Sequence, residues 1–196
     1  KIFGEFAELM GKPADLSELY AKLYTHAMTG SADADGIVSY NHLAAEPVAK
    51  VEGGCPMYLR TKDSKLTLAS FFRSQLYATV AAIRLGTDIL TRQEQVTVTR
   101  LNAHGGLFKV KGVAAQCLAD ALNCDVTVTE SAAEGGAWGM ALLAAYAARG
   151  GGETLDDWLD RAVFSSVERE TCHPTADSVS GFNTYLSRYE QGLEAQ

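Results

Sequence analysis

Two glycine-rich turns are the segments of this chain of 196 residues best suited to chemistry. The first is His104-Gly105-Gly106, and the second spans residues 134–139 with the sequence EGGAWG. Glycine lets the main chain bend sharply and lets a ligand approach it closely, and the first N–H groups of a following helix attract anions. The two turns therefore predict contact with a phosphate-bearing ligand such as a nucleotide.

Cationic and polar residues follow the first turn. Lys109 and Lys111 lie between that turn and the next predicted helix, within reach of phosphate oxygens bound there. Gln116 and Asp120 are one helical turn apart on that helix, so they share a face. Neither glycine turn matches GxGxxG or GxxxxGK[ST], so the sequence does not predict a Rossmann or P-loop site.

Each of these features also has a structural interpretation. The glycine pair of the first turn would also fit an ordinary strand-to-helix turn with solvated lysines. The glycines of the second turn would also fit close packing of a helix against its neighbours. Glu130 and Glu134 are candidate acids or metal ligands, but glutamates at a helix start more often bond backbone amides. Gln116 and Asp120 equally fit hydrogen bonds to a neighbouring loop.

The elements that position these turns follow from hydrophobic periodicity. Strands are predicted over 96–101 and 126–129, with helices over 112–122 and 139–148, and this order indicates a parallel strand pair with a right-handed crossover. The predicted sheet has few strands compared with the amount of predicted helix. We therefore expect further strands upstream of this chain. The other predicted elements are helices over 2–10, 16–27 and 66–90, a short helix after Thr154, a helix from Asp177 or Ser178 with Phe182, Tyr185, Leu186 and Tyr189 on one face, strands over 37–40 and 167–171, and an irregular segment over 51–65.

Composition limits the class of protein. The net charge of −7 and the scattered basic residues argue against nucleic-acid binding. No apolar run reaches the roughly 18 residues that span a bilayer. The four cysteines have no CxxC spacing, so we expect reduced thiols in a cytoplasmic protein and no metal site. No signal peptide is visible, and a chain that does not start with methionine is expected to be a fragment.

The order and spacing of several motifs resemble the C-terminal half of the FGGY carbohydrate kinases, such as xylulokinase, ribulokinase and glycerol kinase. The Gly-Gly turn is followed by Q-x-x-A-D at 116–120 and by the helix opening A-W-G-M-A at 137–141. Upstream, Asp35-Gly36, Ala45-Glu46-Pro47 and Phe72-Arg73-Ser74 resemble further family motifs. The resemblance covers about residues 3–193.

The resemblance implies an α/β fold: a ribonuclease-H-like (actin-like ATPase) domain, in a partial copy lacking its first strands. Residues 1–196 would be the C-terminal FGGY kinase domain, with Mg-ATP in a cleft against an absent N-terminal domain that binds the sugar. The parent enzyme would phosphorylate a pentulose, either ribulose or xylulose. The general base is then expected upstream, so no catalytic residue is assigned here.

The resemblance also assigns roles within the site. The first turn would lie along the α-phosphate and ribose, the second would border the adenosine pocket, and Gln116 with Asp120 would support the first turn. Three departures are Tyr77 where the family usually has an acid, Ala45 in place of glycine, and a longer segment carrying Lys109 and Lys111. The expected nucleotide-binding residues are Gly105, Gly106, Lys109, Gln116, Glu134, Gly135, Gly136, Ala137 and Gly139.

Two other functions fit the same residues. A non-catalytic nucleotide-binding or regulatory module of the actin-like fold would keep the turns without phosphoryl transfer, and a purely structural scaffold would bind no nucleotide. An unpaired sheet edge left by missing strands would also allow two copies to pair as a homodimer.

Overall fold

A computed structural model describes residues 1–129, 135–165 and 168–195. The chain has an α/β fold. Its helices are α1 (Ile2–Leu9), α2 (Leu16–Ala27), α3 (Leu68–Asp88), α4 (Val113–Leu122), α5 (Gly135–Arg149), α6 (Leu155–Leu159) and α7 (Ala176–Gly192). Its strands are β1 (Ile37–Tyr40), β2 (Met57–Arg60), β3 (Arg100–Ala103), β4 (Asp125–Thr129) and β5 (Arg169–Cys172).

Side-chain caps explain where three of the helices begin. The carboxylate of Asp15 accepts a hydrogen bond from a backbone N–H one turn into α2. The hydroxyls of Thr67 and Thr154 do the same for α3 and α6. Such caps satisfy N–H groups that have no partner within the helix. At the far end of α4, Asn123 adopts a left-handed conformation (φ 50°), as the sequence predicts for a helix stop.

The described strands form two sheets. The larger has the order β3-β4-β5, with β3 and β4 parallel and β5 antiparallel to β4, so the predicted parallel pair is confirmed. Strands β1 and β2 form an antiparallel pair, and β2 lies inside the segment that the sequence predicts as irregular. The predicted start of β3 is also wrong, because the strand begins at Arg100 rather than at residue 96.

Helix α7 supplies the centre of the core. Phe182, Tyr185, Leu186 and Tyr189 are all buried, which confirms that they share one face. The ring of Tyr189 stacks on Tyr40 of β1 with centroids 4.7 Å apart. The hydroxyl of Tyr40 donates to the carbonyl of Tyr189 over 2.7 Å, so the buried phenol keeps a partner.

Helix α3 packs against α2, β1 and α4. Phe72, Leu76 and Val80 are buried as its predicted apolar stripe requires. The stripe ends earlier than predicted, because Ile83 and Ile89 are 41% and 40% exposed. After residue 88 the chain leaves α-helical geometry in a single π-helical turn.

Helix α5 contrasts with the other long helices because none of its residues is buried. The helix begins at Gly135, four residues before the predicted start. The described part of the second glycine turn, residues 135–139, is therefore helical. Met140 and Leu143 are among the most exposed apolar side chains. Within the described ranges, no helix combines the length and the hydropathy needed to cross a bilayer.

Candidate functional site at the carboxyl edge of the sheet

The two glycine turns meet at the edge of the sheet where β3 and β4 end. The imidazole of His104, the residue after β3, lies against the first residue of α5. A Cβ added to Gly135 would lie 2.7 Å from Nδ1 of His104 and 3.0 Å from its Cγ. Only glycine leaves room for this contact, so the second turn can begin directly against the first.

The main chain on the outer side of both turns faces open space. Gly105 has φ 118°, a conformation that L side chains rarely adopt. A Cβ added at Gly105, Gly106 or Gly136 would meet no described atom within 4 Å. The positive φ already accounts for glycine at Gly105. At Gly106 and Gly136, packing within the described chain does not account for glycine, whereas the approach of a ligand to bare main chain would.

The connection from the first turn to α4 carries the predicted lysines. Residues Gly106–Lys109 form a single 3-10 turn, and Gly112 starts α4 with φ 74°. The side chains of Lys109 and Lys111 are exposed, on the same connection as the open glycines. Ala137 is exposed on the first turn of α5. Glu130 and Glu134 lie outside the described residues.

Gln116 and Asp120 form a hydrogen-bonded network along one face of α4. The amide of Gln116 donates to Oδ1 of Asp120 over 3.1 Å and to the carbonyl of His173 over 2.8 Å. The same Oδ1 accepts from the backbone N–H of Thr175 over 2.9 Å. These bonds fasten the connection between β5 and α7, in agreement with the structural interpretation of the pair as loop-binding residues.

The second carboxylate oxygen of Asp120 is buried, and within the described residues it has no hydrogen-bond partner. Burial in this setting raises the pKa of Asp120, because desolvation outweighs the hydrogen bonds from Thr175 and Gln116 and the nearby Arg73 guanidinium, all of which lower it. The charged carboxylate is therefore less stable in the folded chain than in the unfolded one.

Asp120 makes the free energy of unfolding depend on pH in a predictable direction. Below the ordinary pKa of 3.8 the group is protonated in both states and contributes nothing. As pH rises from there through the raised pKa, the folded state keeps its proton to higher pH than the unfolded state does. The free energy of unfolding therefore falls, by about 1.4 kcal/mol for each pH unit by which the pKa is raised. Urea unfolding from pH 4 to pH 7 should therefore show the wild type losing stability relative to Asp120→Asn. A constant difference between the two proteins would contradict this.

A cavity of about 550 Å³ lies beneath α5, on one face of the β3-β4-β5 sheet. Gly135 and Gly139 line it, whereas Gly105, Gly106 and Gln116 do not. The opposite face of the sheet, with Leu101 and Val126, packs into the core beside α4. No group of three acidic, histidine or cysteine side chains within the described ranges is arranged to hold a metal ion.

A family model decides the identity of the fold. The model described as the C-terminal domain of the FGGY family of carbohydrate kinases matches residues 4–148. The chain belongs to this family. The FGGY domain thus has the actin-like ATPase fold, as the motifs in the sequence indicate. A search of curated protein sequences gives no match.

Solved structures support the same fold for the FGGY domain. A xylulose kinase from Rhodospirillum rubrum has a TM-score of 0.67 and 24% identity over 96% of this chain and 36% of its own. A glycerol kinase from Plasmodium falciparum, solved with ADP, has a TM-score of 0.64 and 16% identity over 92% of this chain and 34% of its own. The FGGY domain therefore spans about a third of the length of these kinases.

In this FGGY domain, Tyr77 accepts a hydrogen bond from the buried guanidinium of Arg73. Nε of Arg73 donates to the Tyr77 hydroxyl over 2.9 Å, and Nη1 donates to the carbonyls of Met28 and Gly30. The Tyr77 hydroxyl in turn donates to the carbonyl of Ala32 over 2.9 Å. The tyrosine thus satisfies the guanidinium one helical turn away, at the position where the family resemblance predicts an acid.

Three further residues beside the predicted site were missed from the sequence. Arg100, Arg169 and Phe164 line the cavity of the FGGY domain next to Gly135 and Gly139. A signal exists in the alternation of polar residues along β3 and β4, which indicates that one sheet face is polar. The contribution of β5 could not be read in this way, because it depends on which strand pairs with β4.

Proposed function

We propose that this domain is the ATP-binding part of a kinase that transfers the γ-phosphoryl group of Mg-ATP to a pentulose, either ribulose or xylulose. The observation that carries the proposal is open main chain at two glycine turns that touch each other at the carboxyl edge of the sheet. Such an edge is where open α/β sheets commonly bind ligands. The ADP in the glycerol kinase relative gives independent support for a nucleotide.

The described residues suit a triphosphate at this edge. N–H groups of Gly105 and Gly106 would bind phosphate oxygens, and the exposed Lys109 would add positive charge. Gly136 and Ala137 would border the adenosine, and Glu134, outside the described residues, stays a predicted contact from the sequence. Gly135 and Gly139 would act by letting α5 start against His104 and the sheet. Gln116 would fix α4, the helix that follows the phosphate turn, to the connection between β5 and α7. The magnesium ion would bind together with the nucleotide, as Mg-ATP.

Phosphoryl transfer depends mainly on positioning and on stabilising charge in a closed site. On this proposal the domain supplies the binding surface for the nucleotide and one side of the closing cleft. The general base would lie upstream of this domain, and the residues that recognise sugar hydroxyls would lie in the N-terminal domain. The domain is therefore not expected to phosphorylate a sugar by itself. Its four cysteines are thiols rather than disulfides, which fits a reducing cytoplasm.

The sugar is tested by phosphorylation assays on the complete polypeptide that contains this domain. L-ribulose, D-xylulose, D-ribulose and glycerol are compared at equal concentration by coupling ADP release to NADH oxidation. We expect a kcat/KM at least ten-fold higher for one of the pentuloses than for glycerol. Nucleotide binding without phosphorylation of any of them would favour the regulatory module of the same fold.

The edge of β3 supports a homodimer as part of this proposal. Within the described residues, β3 pairs only with β4, so its other edge carries backbone groups without strand partners. Exposed edges of this kind pair readily with other strands. Light scattering that shows only a monomer at micromolar concentrations would contradict the dimer and leave the kinase assignment unaffected.

A further inference from the structure

The imidazole of His104 lies where the two glycine turns touch. Ala103 before it is buried at the end of β3, and Gly105 after it has open main chain. The side chain of His104 lies against Gly135, the first residue of α5. It is therefore placed between the main chain of the first turn and that of the second.

One side of this side chain is held by packing. A Cβ added to Gly135 would lie 2.7 Å from Nδ1, 3.0 Å from Cγ and 3.2 Å from Cβ of His104. Three atoms at the base of the side chain thus pack against the same residue, which restricts rotation of the ring. A group that is already fixed in the free protein loses less entropy when a ligand binds to it.

The ring nitrogens of His104 are available to a ligand. The side chain is exposed, and among the residues that the structure describes neither nitrogen has a hydrogen-bond partner. By contrast, Nε2 of His42 shares a hydrogen bond with the Tyr189 hydroxyl over 2.7 Å. Water serves the nitrogens of His104 in the free chain, and a ligand lying across the two turns would replace that water.

The place of His104 between the turns corresponds to the middle of a nucleotide. In the proposed kinase, Gly105 and Gly106 bind phosphate oxygens, and Gly136 with Ala137 borders the adenosine. The ribose joins the phosphates to the base, so it is the part that crosses the contact between the turns. A ribose hydroxyl both donates and accepts a hydrogen bond, and a neutral imidazole offers one donor and one acceptor nitrogen.

We propose that His104 is a further nucleotide-binding residue of this domain, whose imidazole hydrogen-bonds a ribose hydroxyl and favours nucleotides that carry these hydroxyls. This role rests on the proposed kinase function, which gives the placement of the nucleotide. Two other roles make different predictions. Filling space beside Gly135 requires only the shape of the ring, and pairing with a phosphate would strengthen nucleotides with and without ribose hydroxyls equally.

Binding of Mg-ADP and of Mg-2′,3′-dideoxy-ADP to the complete polypeptide that contains this domain tests the proposal. Isothermal titration calorimetry gives both Kd values, and neither ligand has a γ-phosphoryl group to transfer. The wild type should bind ADP about five-fold more tightly, as expected for one hydrogen bond at an exposed site. His104→Phe keeps a flat ring without nitrogens. It should weaken ADP by about the same factor and leave the dideoxy nucleotide unchanged, so the preference disappears.

Two further variants accompany His104→Phe. His104→Leu should abolish the preference in the same way, and it replaces the phenylalanine variant if that protein does not fold. His26→Phe is the matched control, because His26 is an exposed histidine at the end of α2, remote in sequence from both turns. It should leave both Kd values unchanged.

Two results would overturn the role of His104 while leaving the nucleotide site in place. One is saturable ADP binding with the same preference over dideoxy-ADP in the wild type and in the folded His104 variants. The other is an equal loss of affinity for both nucleotides in those variants. If neither nucleotide binds to the wild type, the proposed kinase function fails, and the role of His104 fails with it.

Discussion

Replacing Gly106 with valine is expected to weaken binding of Mg-AMP-PNP at least ten-fold while leaving the fold intact. A Cβ added at this position meets no described atom within 4 Å, and the backbone does not have the positive φ of Gly105. The added methyl groups therefore cost the free chain little. They would occupy the space through which phosphate oxygens reach the main-chain N–H groups, and a ten-fold loss corresponds to about 1.4 kcal/mol. Isothermal titration calorimetry measures the Kd.

Gly53→Val is the matched control for this prediction. Gly53 also lies in a loop with no described atom within 4 Å of an added Cβ, and it is remote in sequence from both turns. Both variants should have melting temperatures within about 2 °C of the wild type. Unchanged nucleotide affinity in Gly106→Val would favour the purely structural scaffold over a nucleotide site.

Replacing Gly181 with alanine is expected to destabilise the domain by about 2–3 kcal/mol, although helix propensity alone predicts the opposite. Glycine inside a helix costs roughly 0.5–1 kcal/mol relative to alanine. In α7, however, an added Cβ would overlap the backbone of Ala32. Tyr77 bonds the Ala32 carbonyl and Arg188 pairs with Asp33, so that loop cannot move away cheaply. Overpacking of this kind typically costs 1–3 kcal/mol or more.

Gly86→Ala is the matched control, and it should have the opposite sign. Gly86 lies inside α3, where the nearest atom to an added Cβ is a methyl of Val48 at 3.7 Å, an ordinary contact. The variant should therefore gain roughly 0.5–1 kcal/mol from the smaller backbone entropy of alanine. Urea unfolding of both variants gives the free energies. A stabilised Gly181→Ala would show that α7 does not pack against the loop at Ala32 as described.

Periodicity predicted most of the helices because each buries one continuous stripe. The four buried residues of α7 and the limits of α2 and α4 follow from local spacing alone. Alternation predicts that β3 begins at residue 96, but pairing with β4 begins at Arg100. Strand β2 has no alternation and lies between a Gly-Gly pair and a turn, so only its pairing with β1 reveals it.

The candidate site was predictable in part for a similar reason. Glycines report backbone geometry, which is local, so both turns could be recognised in the sequence. The contact between His104 and Gly135 depends on β3 and β4 lying side by side in parallel. The cavity floor depends further on β5 running antiparallel at Thr129, which brings Arg169 to the carboxyl edge. Such contacts between distant segments leave no periodic trace.

The position of α7 has a consequence for how the domain is produced in the laboratory. The family match ends at residue 148, but the rings of Phe182, Tyr185 and Tyr189 fill the middle of the molecule. A clone that stopped where the match stops would leave Tyr40 and Tyr77 facing water and would be prone to form inclusion bodies. We therefore expect that a piece that can be purified has to extend at least through Tyr189.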